Sequence, residues 1–268
     1  MQSLIVIPAR YNSSRFPGKP LTMTAGKTML QRVVEIATHI INDIPNTQAI
    51  VATDDERILT HAQELGTKAV MTPESCQTGS DRALAACAEL EEKPEIIINL
   101  QGDAPLTPPS FVKALLDTLL ANPKVEVATP IVNLSWDELD VLRERKQNLP
   151  FSGTTVTTDD SGRALWFSKQ IIPAIRNESQ LRQASKNSPV YRHVGLYGYR
   201  TPILEKFVQL PEGRYETLEG LEQLRLLEND INIQTVLVDY KDLPGMAGVD
   251  TPEDAKKTEQ LLLQKENV

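Results

Sequence analysis

The feature of this sequence that most constrains its fold is an alternation of short apolar runs with segments of helical periodicity, over about the first 130 residues. The first run, Ser3–Ile7, ends at Pro8, as expected of a strand that is buried on both faces. Residues 28–41 then place apolar side chains three and four positions apart, which is one face of an amphipathic helix. The same reasoning predicts strands at Ala49–Thr53, Ala69–Met71, Ile96–Leu100 and Val125–Val132, and helices at Asp55–Leu65, Asp81–Leu90 and Pro109–Leu120.

This alternation predicts an α/β fold, with a mostly parallel, twisted sheet covered by helices. In such sheets ligands bind at the carboxyl ends of the strands. The rhythm changes near residue 136, so we expect one domain over residues 1–268 with a small antiparallel insertion at about 136–216. There and beyond, the sequence predicts helices at Asp137–Gln147, Thr217–Glu228 and Thr251–Gln264, strands at Thr154–Thr158, Ala164–Phe167, Tyr191–Arg200 and Ile231–Val238, and a mobile loop at Asn177–Ser188.

Composition excludes several classes of partner. The net charge is −8, whereas a nucleic-acid-binding protein needs a broad basic face, so no nucleic acid is expected. No tract reaches the roughly 20 apolar residues of a membrane helix, and the opening run is too short for a signal peptide, so we expect a cytoplasmic protein and no membrane partner. Two cysteines and three scattered histidines predict neither a disulfide framework nor a zinc centre, which leaves a hard cation on carboxylates as the expected metal.

The loop after the first strand is rich in cations. Arg10, Arg15 and Lys19 lie within the first twenty residues, and no acidic residue accompanies them. Backbone N–H groups and hydroxyls can surround a phosphate while guanidinium and ammonium groups neutralise its charge. The spacing is not that of a Walker A loop, because the Gly-x₄-Gly-Lys-Ser/Thr pattern is absent. The loop therefore predicts a polyphosphate site of another kind.

Two aspartates are candidates for a metal site. Asp103 follows the predicted strand Ile96–Leu100, so its carboxylate should emerge at the ligand edge of the sheet, where it can hold Mg²⁺ against a phosphate. The alternative is that Asp103 caps the next turn. Asp250 precedes Thr251 and Pro252, and by itself this pattern is equally typical of a helix N-cap.

Five segments of the chain together match the pattern of one family: residues 8–21, Val51–Asp55, Thr78–Arg82, Asn99–Pro105 and Gly248–Asp254. In consistent order from residue 4 to about 258, the chain resembles the 3-deoxy-manno-octulosonate cytidylyltransferase family, also called CMP-Kdo synthetase. The resemblance implies a nucleotide-diphospho-sugar transferase fold, usually as a homodimer. It also implies that CTP and the acidic eight-carbon sugar Kdo react to give CMP-Kdo and pyrophosphate, for lipopolysaccharide synthesis.

The resemblance also implies roles for individual residues. Arg10, Lys19 and Asp103 would be catalytic, and Asp103 and Asp250 would hold Mg²⁺. The residues implied to bind the nucleotide are Pro8, Ala9, Arg10, Ser14, Lys19, Gln77, Gly79, Ser80, Arg82 and Asp103. Those implied to bind the sugar acid are Gln101, Arg176, His193, Tyr197, Glu222 and Gln223.

Four of these assignments have a structural alternative. Arg82 could be a surface residue of a helix, and His193 could be a strand histidine satisfied by its neighbours. Glu222 and Gln223 could lie on the solvated face of a helix.

The sequence departs from the family pattern on the acceptor side. Ala104 stands where a glutamate is usual, the usual Asn-Pro-Asn-x-Val-Lys segment is unrecognisable in residues 147–151, and Lys169 replaces a frequent arginine, which is not an equivalent group. Residues 210–216 are closer to relatives that use 8-amino-Kdo. The acceptor therefore stays open among Kdo, 8-amino-Kdo and a sialic-acid-like sugar.

Two further classes are alternatives. A glycosyltransferase that consumes a nucleotide sugar typically carries an Asp-x-Asp motif, and Gln101-Gly102-Asp103 lacks the first acid. A catalytically silent protein that binds nucleotide or sugar acid is the other, and the retention of Arg10 and Lys19 together with both aspartates speaks against it.

Overall fold

The computed structural model describes residues 2–12, 16–240, 248–249 and 251–266. Within these ranges ten strands form one sheet, and its first half is parallel. Strand β1 (Ser3–Ala9) lies between β4 (Thr47–Thr53) and β6 (Ile96–Asn99), and β5 (Lys68–Met71) pairs with the far side of β4. The short strands β2 (Met23–Thr24) and β3 (Lys27–Thr28) pair separately from this sheet.

The second half of the sheet is largely antiparallel. Beyond β6 the order continues through β11 (Tyr197–Arg200), β7 (Val127–Ser135), β10 (Asn187–His193), β8 (Thr155–Thr158) and β9 (Ala164–Ser168), and β12 (Ile233–Leu237) pairs parallel with β7. The antiparallel strands thus extend the main sheet instead of forming a sheet of their own. The predicted fold class, a sheet covered by helices with an antiparallel addition, is confirmed.

Helices cover both faces of the sheet. On one face α1 (Met29–Asp43), α2 (Glu56–Glu64) and α4 (Pro109–Ala121) pack on the side of Ile5 and Ile7 of β1. On the other face α3 (Gly79–Ala88), α7 (Thr201–Gln209) and α9 (Leu224–Glu228) pack on the side of Leu4 and Val6. All four of these β1 side chains are at most 1% exposed, which agrees with the predicted strand buried on both faces. The described helices are α1 (Met29–Asp43), α2 (Glu56–Glu64), α3 (Gly79–Ala88), α4 (Pro109–Ala121), α5 (Trp136–Asn148), α6 (Glu178–Ala184), α7 (Thr201–Gln209), α8 (Arg214–Glu219), α9 (Leu224–Glu228) and α10 (Pro252–Glu266).

Three sequence predictions of elements are wrong. The expected strand Tyr191–Arg200 is divided, because the chain leaves β10 after His193 and re-enters the sheet antiparallel as β11. The expected mobile loop Asn177–Ser188 contains α6, whose Glu178 pairs with arginines of α5 and α6. The expected helix Thr217–Glu228 is two helices, because Gly220 adopts a left-handed conformation (φ 63°) that ends α8.

Helix α7 and the small pair β2–β3 were not predicted. Within the described ranges, no helix combines the length and apolarity needed to cross a bilayer.

Candidate active site

A cleft of about 1110 Å³ opens where β6 ends and the chain turns towards Asp103. Four parts of the chain line it: the segment Leu100–Ala104, the loop 149–154 after α5, the turn between β10 and β11, and the start of α10. The loop 149–154 is here called the wall of the cleft, and the turn between β10 and β11 its floor. The cleft therefore lies at the ligand edge expected of the parallel half of the sheet.

Lys19 and Asp103, which are distant in sequence, form an ion pair at this edge. The Lys19 ammonium donates to Asp103 Oδ2 at 2.7 Å and to the Val249 carbonyl at 2.8 Å. The lysine is nearly buried (8% exposed) in a 3₁₀ helix, while the Asp103 side chain keeps 33% of its surface exposed. One cation thus joins the loop after β1, the loop after β6 and the segment that leads into α10.

The loop that carries Asp103 crosses directly over the end of β1. The Gly102 amide donates to the Pro8 carbonyl at 3.3 Å, and a Cβ at position 102 would lie 2.6 Å from that same oxygen. Such a contact is too short for any side chain, so only glycine permits this crossing. The close approach fixes where Asp103 emerges, beside Ala9 at the buried end of the strand.

The cation-rich loop is anchored through the ring of Tyr11. Arg57 places its guanidinium 3.3 Å from the centre of this ring and binds Asp55 through both nitrogens, at 2.9 and 2.6 Å. On another side, Gly18 adopts φ 72° and donates its amide to the Tyr11 carbonyl at 2.9 Å. Arg10 is exposed at the end of β1. Tyr11, at the base of the loop, is therefore held by Arg57 of α2 and by Gly18 at the other end of the loop.

Two of the predicted residues in this region lie outside the described residues. Ser14 belongs to the cation-rich loop, and Asp250 was predicted as the second metal ligand. The neighbour Val249 donates its amide to the Asp103 carbonyl at 2.8 Å, and a Cβ on Gly248 would lie 3.2 Å from Asp103 Oδ1. Residues 248 and 249 therefore lie next to Asp103.

Arg82 is buried completely and braces the strand ends beside the start of α3. Its guanidinium donates to Asp54 Oδ2 at 2.6 Å, to Thr72 Oγ1 at 2.5 Å and to the Cys76 carbonyl at 3.5 Å. The alternative that Arg82 is a surface residue of a helix is wrong, because the side chain has no exposed surface. Its role as a nucleotide contact stays a prediction.

The start of α3 lies against the residues that follow β6. A Cβ on Gly79 would meet the side-chain amide of Gln101 at 3.0 Å, and Ser80 Oγ donates to Glu222 Oε2 at 3.4 Å. Burial raises the pKa of Glu222, with a smaller opposing effect of a hydrogen bond from Thr78. Gln77 is exposed just before the helix. The segment predicted to bind the nucleotide thus touches two residues predicted to bind the sugar.

His193 lines the floor of the cleft as a neutral imidazole. Burial, assisted by the nearby Lys169 cation, lowers its pKa to about 3. Its Nε2 lies 2.9 Å from Thr129 Oγ1, whose proton is directed at the Leu196 carbonyl at 2.8 Å. Because a hydroxyl has one proton, this arrangement assigns the imidazole proton to Nε2 and leaves Nδ1 as a hydrogen-bond acceptor.

Three polar atoms near this floor have no hydrogen bond of good geometry to any described residue. They are Asn99 Oδ1, Tyr197 Oη and Gln223 Nε2. Tyr197 and Gln223 line the cleft, and burial raises the pKa of the Tyr197 phenol. Buried polar atoms are normally paired, so unpaired ones beside a cleft indicate a polar ligand that completes them. Gln223 is 6% exposed, so the alternative of a solvated helix face is wrong for this residue.

The structure places Arg176 differently from the other predicted acceptor residues. Its side chain is exposed and is not among the residues that line the cleft. Instead, the cations that line the cleft are Arg145, Lys169 and Arg192, together with Lys257 of α10. Sequence reasoning missed Arg145 and Arg192 as site residues. Arg192 could have been found from the sequence, because it adjoins His193, which was predicted as a site residue. Arg145 could not, because it lies in a helix with many charged residues and no pattern distinguishes it from the others.

The described residues at the cleft offer oxygen donors, the type of ligand that a hard cation such as Mg²⁺ prefers. Asp103 presents a partly exposed carboxylate, and Glu253 and Asp254 also line the cleft, so the available donors are oxygens. Among the described side chains there is no group of three or more histidines, cysteines or acids that by itself forms a metal centre. A Mg²⁺ ion shared with a phosphate needs fewer protein ligands than that. The Mg²⁺ assignment to Asp103 and Asp250 stays a prediction.

Comparison with known proteins identifies the family. The family model described as cytidylyltransferase matches residues 4–233. The 3-deoxy-manno-octulosonate cytidylyltransferase of Maricaulis maris is 43% identical over 263 residues, which cover 98% of this chain and 97% of the relative. The enzyme of the same name from Bacteroides thetaiotaomicron is 38% identical over 262 residues, 98% of each chain.

Solved structures agree with these sequence matches. A CMP:2-keto-3-deoxy-manno-octonic acid synthetase complexed with CTP superimposes with a TM-score of 0.83 at 37% identity, covering 99% of this chain and all of the other. The 4-diphosphocytidyl-2C-methyl-D-erythritol synthase of Anaerococcus prevotii shares the fold alone. Its TM-score is 0.59, and it is 13% identical over 98% of this chain and 99% of its own. This chain belongs to the 3-deoxy-manno-octulosonate cytidylyltransferase family.

Proposed function

We propose that this protein transfers CMP from CTP to the anomeric hydroxyl of Kdo and releases pyrophosphate. The observation that carries the proposal is the Lys19–Asp103 pair at the edge of a cleft whose other end is cationic and polar. A nucleoside triphosphate needs cations and an acidic metal ligand in one place, and a sugar acid needs cations together with hydrogen-bonding groups. The family membership supports the same reaction.

The transfer step requires position and charge neutralisation more than a protein nucleophile. The sugar hydroxyl attacks the α-phosphorus in line with the departing pyrophosphate, and the P–O bond to the β-phosphate breaks. Lys19, held by Asp103 and Val249, and Arg10 stabilise the charge that develops on the leaving group. When bound by Asp103 and Asp250, Mg²⁺ would polarise the α-phosphate and acidify the attacking hydroxyl.

The acceptor end of the cleft suits a polyhydroxylated acid. Tyr197 Oη and Gln223 Nε2, on two residues that line the cleft, supply one hydroxyl and one amide donor. His193, neutral and protonated on Nε2, offers Nδ1 to a sugar hydroxyl. Arg145, Lys169 and Arg192, which line the cleft, add the positive charge that a carboxylate needs. Gln101, which also lines the cleft, and Glu222, which accepts from Ser80, can form hydrogen bonds with sugar hydroxyls.

The assembly and cellular setting are part of this proposal. We propose a homodimer that forms around β9, the last strand of the sheet, where Leu165 is 49% exposed. A compartment that supplies CTP, the cytoplasm, is the proposed location, and two buried, unpaired cysteines agree with a reducing environment. The product would serve lipopolysaccharide synthesis, as the resemblance implies.

The proposal is tested by pyrophosphate release from the purified protein with Mg²⁺ and a panel of substrates. We expect release with CTP and Kdo, little with UTP, and none when the sugar is omitted. Faster turnover with 8-amino-Kdo or a sialic acid than with Kdo would identify that sugar as the acceptor and leave the proposed reaction unchanged. Binding of CTP without turnover of any sugar acid would support the silent binding protein, and consumption of a nucleotide sugar would support the glycosyltransferase.

A further inference from the structure

The ammonium group of Lys146 lies within a ring of backbone oxygens. Near the end of α5, its Nζ donates to the carbonyls of Ser152 and Lys169 at 2.5 Å each, of Gly153 at 3.2 Å and of Pro150 at 3.4 Å. An ammonium has three N–H donors, so four carbonyls saturate it. One side chain thus joins three separate parts of the chain, namely α5, the loop 150–153 and the residue after β9.

These partners belong to the acceptor wall of the cleft. Residues 149–154 and Lys169 all line it. Among the described residues, the one backbone hydrogen bond made from within the loop 150–153 is that of the Ser152 amide to the Leu149 carbonyl at 2.9 Å. At its two flanks the Leu149 amide donates to the Arg145 carbonyl and the Thr154 carbonyl accepts from the His193 amide, at 2.9 Å each. Phe151 is 67% exposed, so burial of its ring does not hold the loop. This is also the stretch in which the usual Asn-Pro-Asn-x-Val-Lys segment is unrecognisable. The Lys146 contacts therefore supply most of the polar restraint on this wall.

The electrostatic surroundings do not by themselves favour a cation here. Burial lowers the pKa of Lys146, and the cations Lys169, Arg145 and Arg192 lower it further, against the opposing effect of Glu219. Glu219 is itself engaged, because its carboxylate accepts from Ser168 Oγ and from the Lys169 amide at 2.7 Å each. Lys146 adds a fourth positive charge to this group. Its hydrogen bonds, and not attraction to the neighbouring cations, therefore stabilise the ammonium in this place.

We propose that Lys146 is a positioning residue for the acceptor. By binding four carbonyls it fixes the loop 150–153 and the backbone of Lys169, so that the wall and its cations face the acid group of the sugar. The proposal rests on the proposed function for the identity of that sugar, whereas the ordering of the loop does not depend on it. Lys146 itself need not touch the substrate.

Steady-state kinetics test the positioning role. Lys146→Met removes every donor and keeps the length of the side chain, and Lys113→Met removes an exposed lysine that pairs with Asp117 on α4 and serves as the matched control. We expect the KM for the sugar acid to rise about tenfold in Lys146→Met, with the KM for CTP and the thermal midpoint close to wild type. An unchanged sugar KM, or an equal rise of both KM values, would overturn the proposal. Lys146→Gln, which keeps two donors, replaces the methionine variant if that one does not fold.

Limited proteolysis tests the ordering of the loop without any turnover. Chymotrypsin should cut after Phe151, and removal of the clamp should speed this cleavage about tenfold in Lys146→Met, because proteases require a locally opened chain. The Lys113→Met control should be cut at the wild-type rate. Equal rates in all three proteins would contradict the clamp. Wild-type protein that releases no pyrophosphate would instead refute the proposed function and leave the proteolysis result standing.

Discussion

At the residue scale, Gly102 shows how one missing side chain positions an active site. The loop after β6 reaches Asp103 by crossing the end of β1, and the crossing brings position 102 against the Pro8 carbonyl. Asp103 then emerges beside Lys19. The glycine is therefore needed for a close approach of two backbones and not for an unusual backbone angle.

Gly102→Ala is expected to destabilise the protein and to impair turnover. The new methyl would lie 2.6 Å from an oxygen of the backbone, so the loop must shift, at a cost of about 1–3 kcal/mol. Chemical denaturation gives the loss of stability. Gly195→Ala is the matched control for stability, because a Cβ there meets nothing within 4 Å. Equal stability of the two variants would show that the crossing is not tight.

His193 gives a prediction about pH. Its folded pKa of about 3 lies below the ordinary 6.5, so its contribution to stability is complete above about pH 6.5 and is lost as the pH falls from there towards 3. NMR of the imidazole should therefore show one neutral ring, protonated on Nε2, whose shifts do not change between about pH 5 and 8. A titration of His193 centred near neutral pH would contradict this assignment.

At the element scale, the buried pair of Arg82 and Asp54 connects α3 with the ends of two strands. Asp54 follows β4, and Thr72, which also accepts from Arg82, follows β5. Asp55, which follows Asp54 in the chain, binds Arg57, and the Arg57 guanidinium lies over the ring of Tyr11. Two consecutive aspartates thus bind arginines of two different helices, Asp54 that of α3 and Asp55 that of α2.

Replacement of either partner of this pair should lower stability. Arg82→Met leaves the Asp54 carboxylate without its cation in a nearly buried place, which costs about 3 kcal/mol or more, and Asp54→Asn should cost less because the amide keeps a hydrogen bond. Urea denaturation in the absence of nucleotide measures both. If Arg82 acted only on the nucleotide, both variants would unfold like the wild type.

The elements that the sequence predicted well are those with strong local patterns. Strand β1 and helices α1, α4 and α10 lie close to their predicted positions, because apolar periodicity and flanking turn residues mark them. The division of Tyr191–Arg200 depends on which strands pair, and β11 pairs with β6, a strand almost one hundred residues away in sequence. The end of α8 depends on Gly220, an isolated glycine that many helices tolerate.

At the scale of the whole molecule, the charge distribution separates the cleft from the rest of the surface. The chain carries a net charge of −8, yet four cations line the cleft beside three acids. The cations are Arg145, Lys169, Arg192 and Lys257, and the acids are Asp103, Glu253 and Asp254. Cations gathered in a concave site attract anionic substrates despite the overall charge. The cationic loop and Asp103 were predictable because they directly follow buried strands, whereas Arg145 comes to the cleft only through tertiary packing.

The central claim is that the convergence of Lys19 and Asp103 forms the phosphate end of an active site. Asp103→Asn keeps the size of the side chain and removes the charge, and Mg²⁺-dependent pyrophosphate release from CTP and Kdo measures the consequence. We expect a loss of turnover on the order of a hundredfold or more, with CTP binding still measurable by calorimetry. Turnover close to that of the wild type would contradict it.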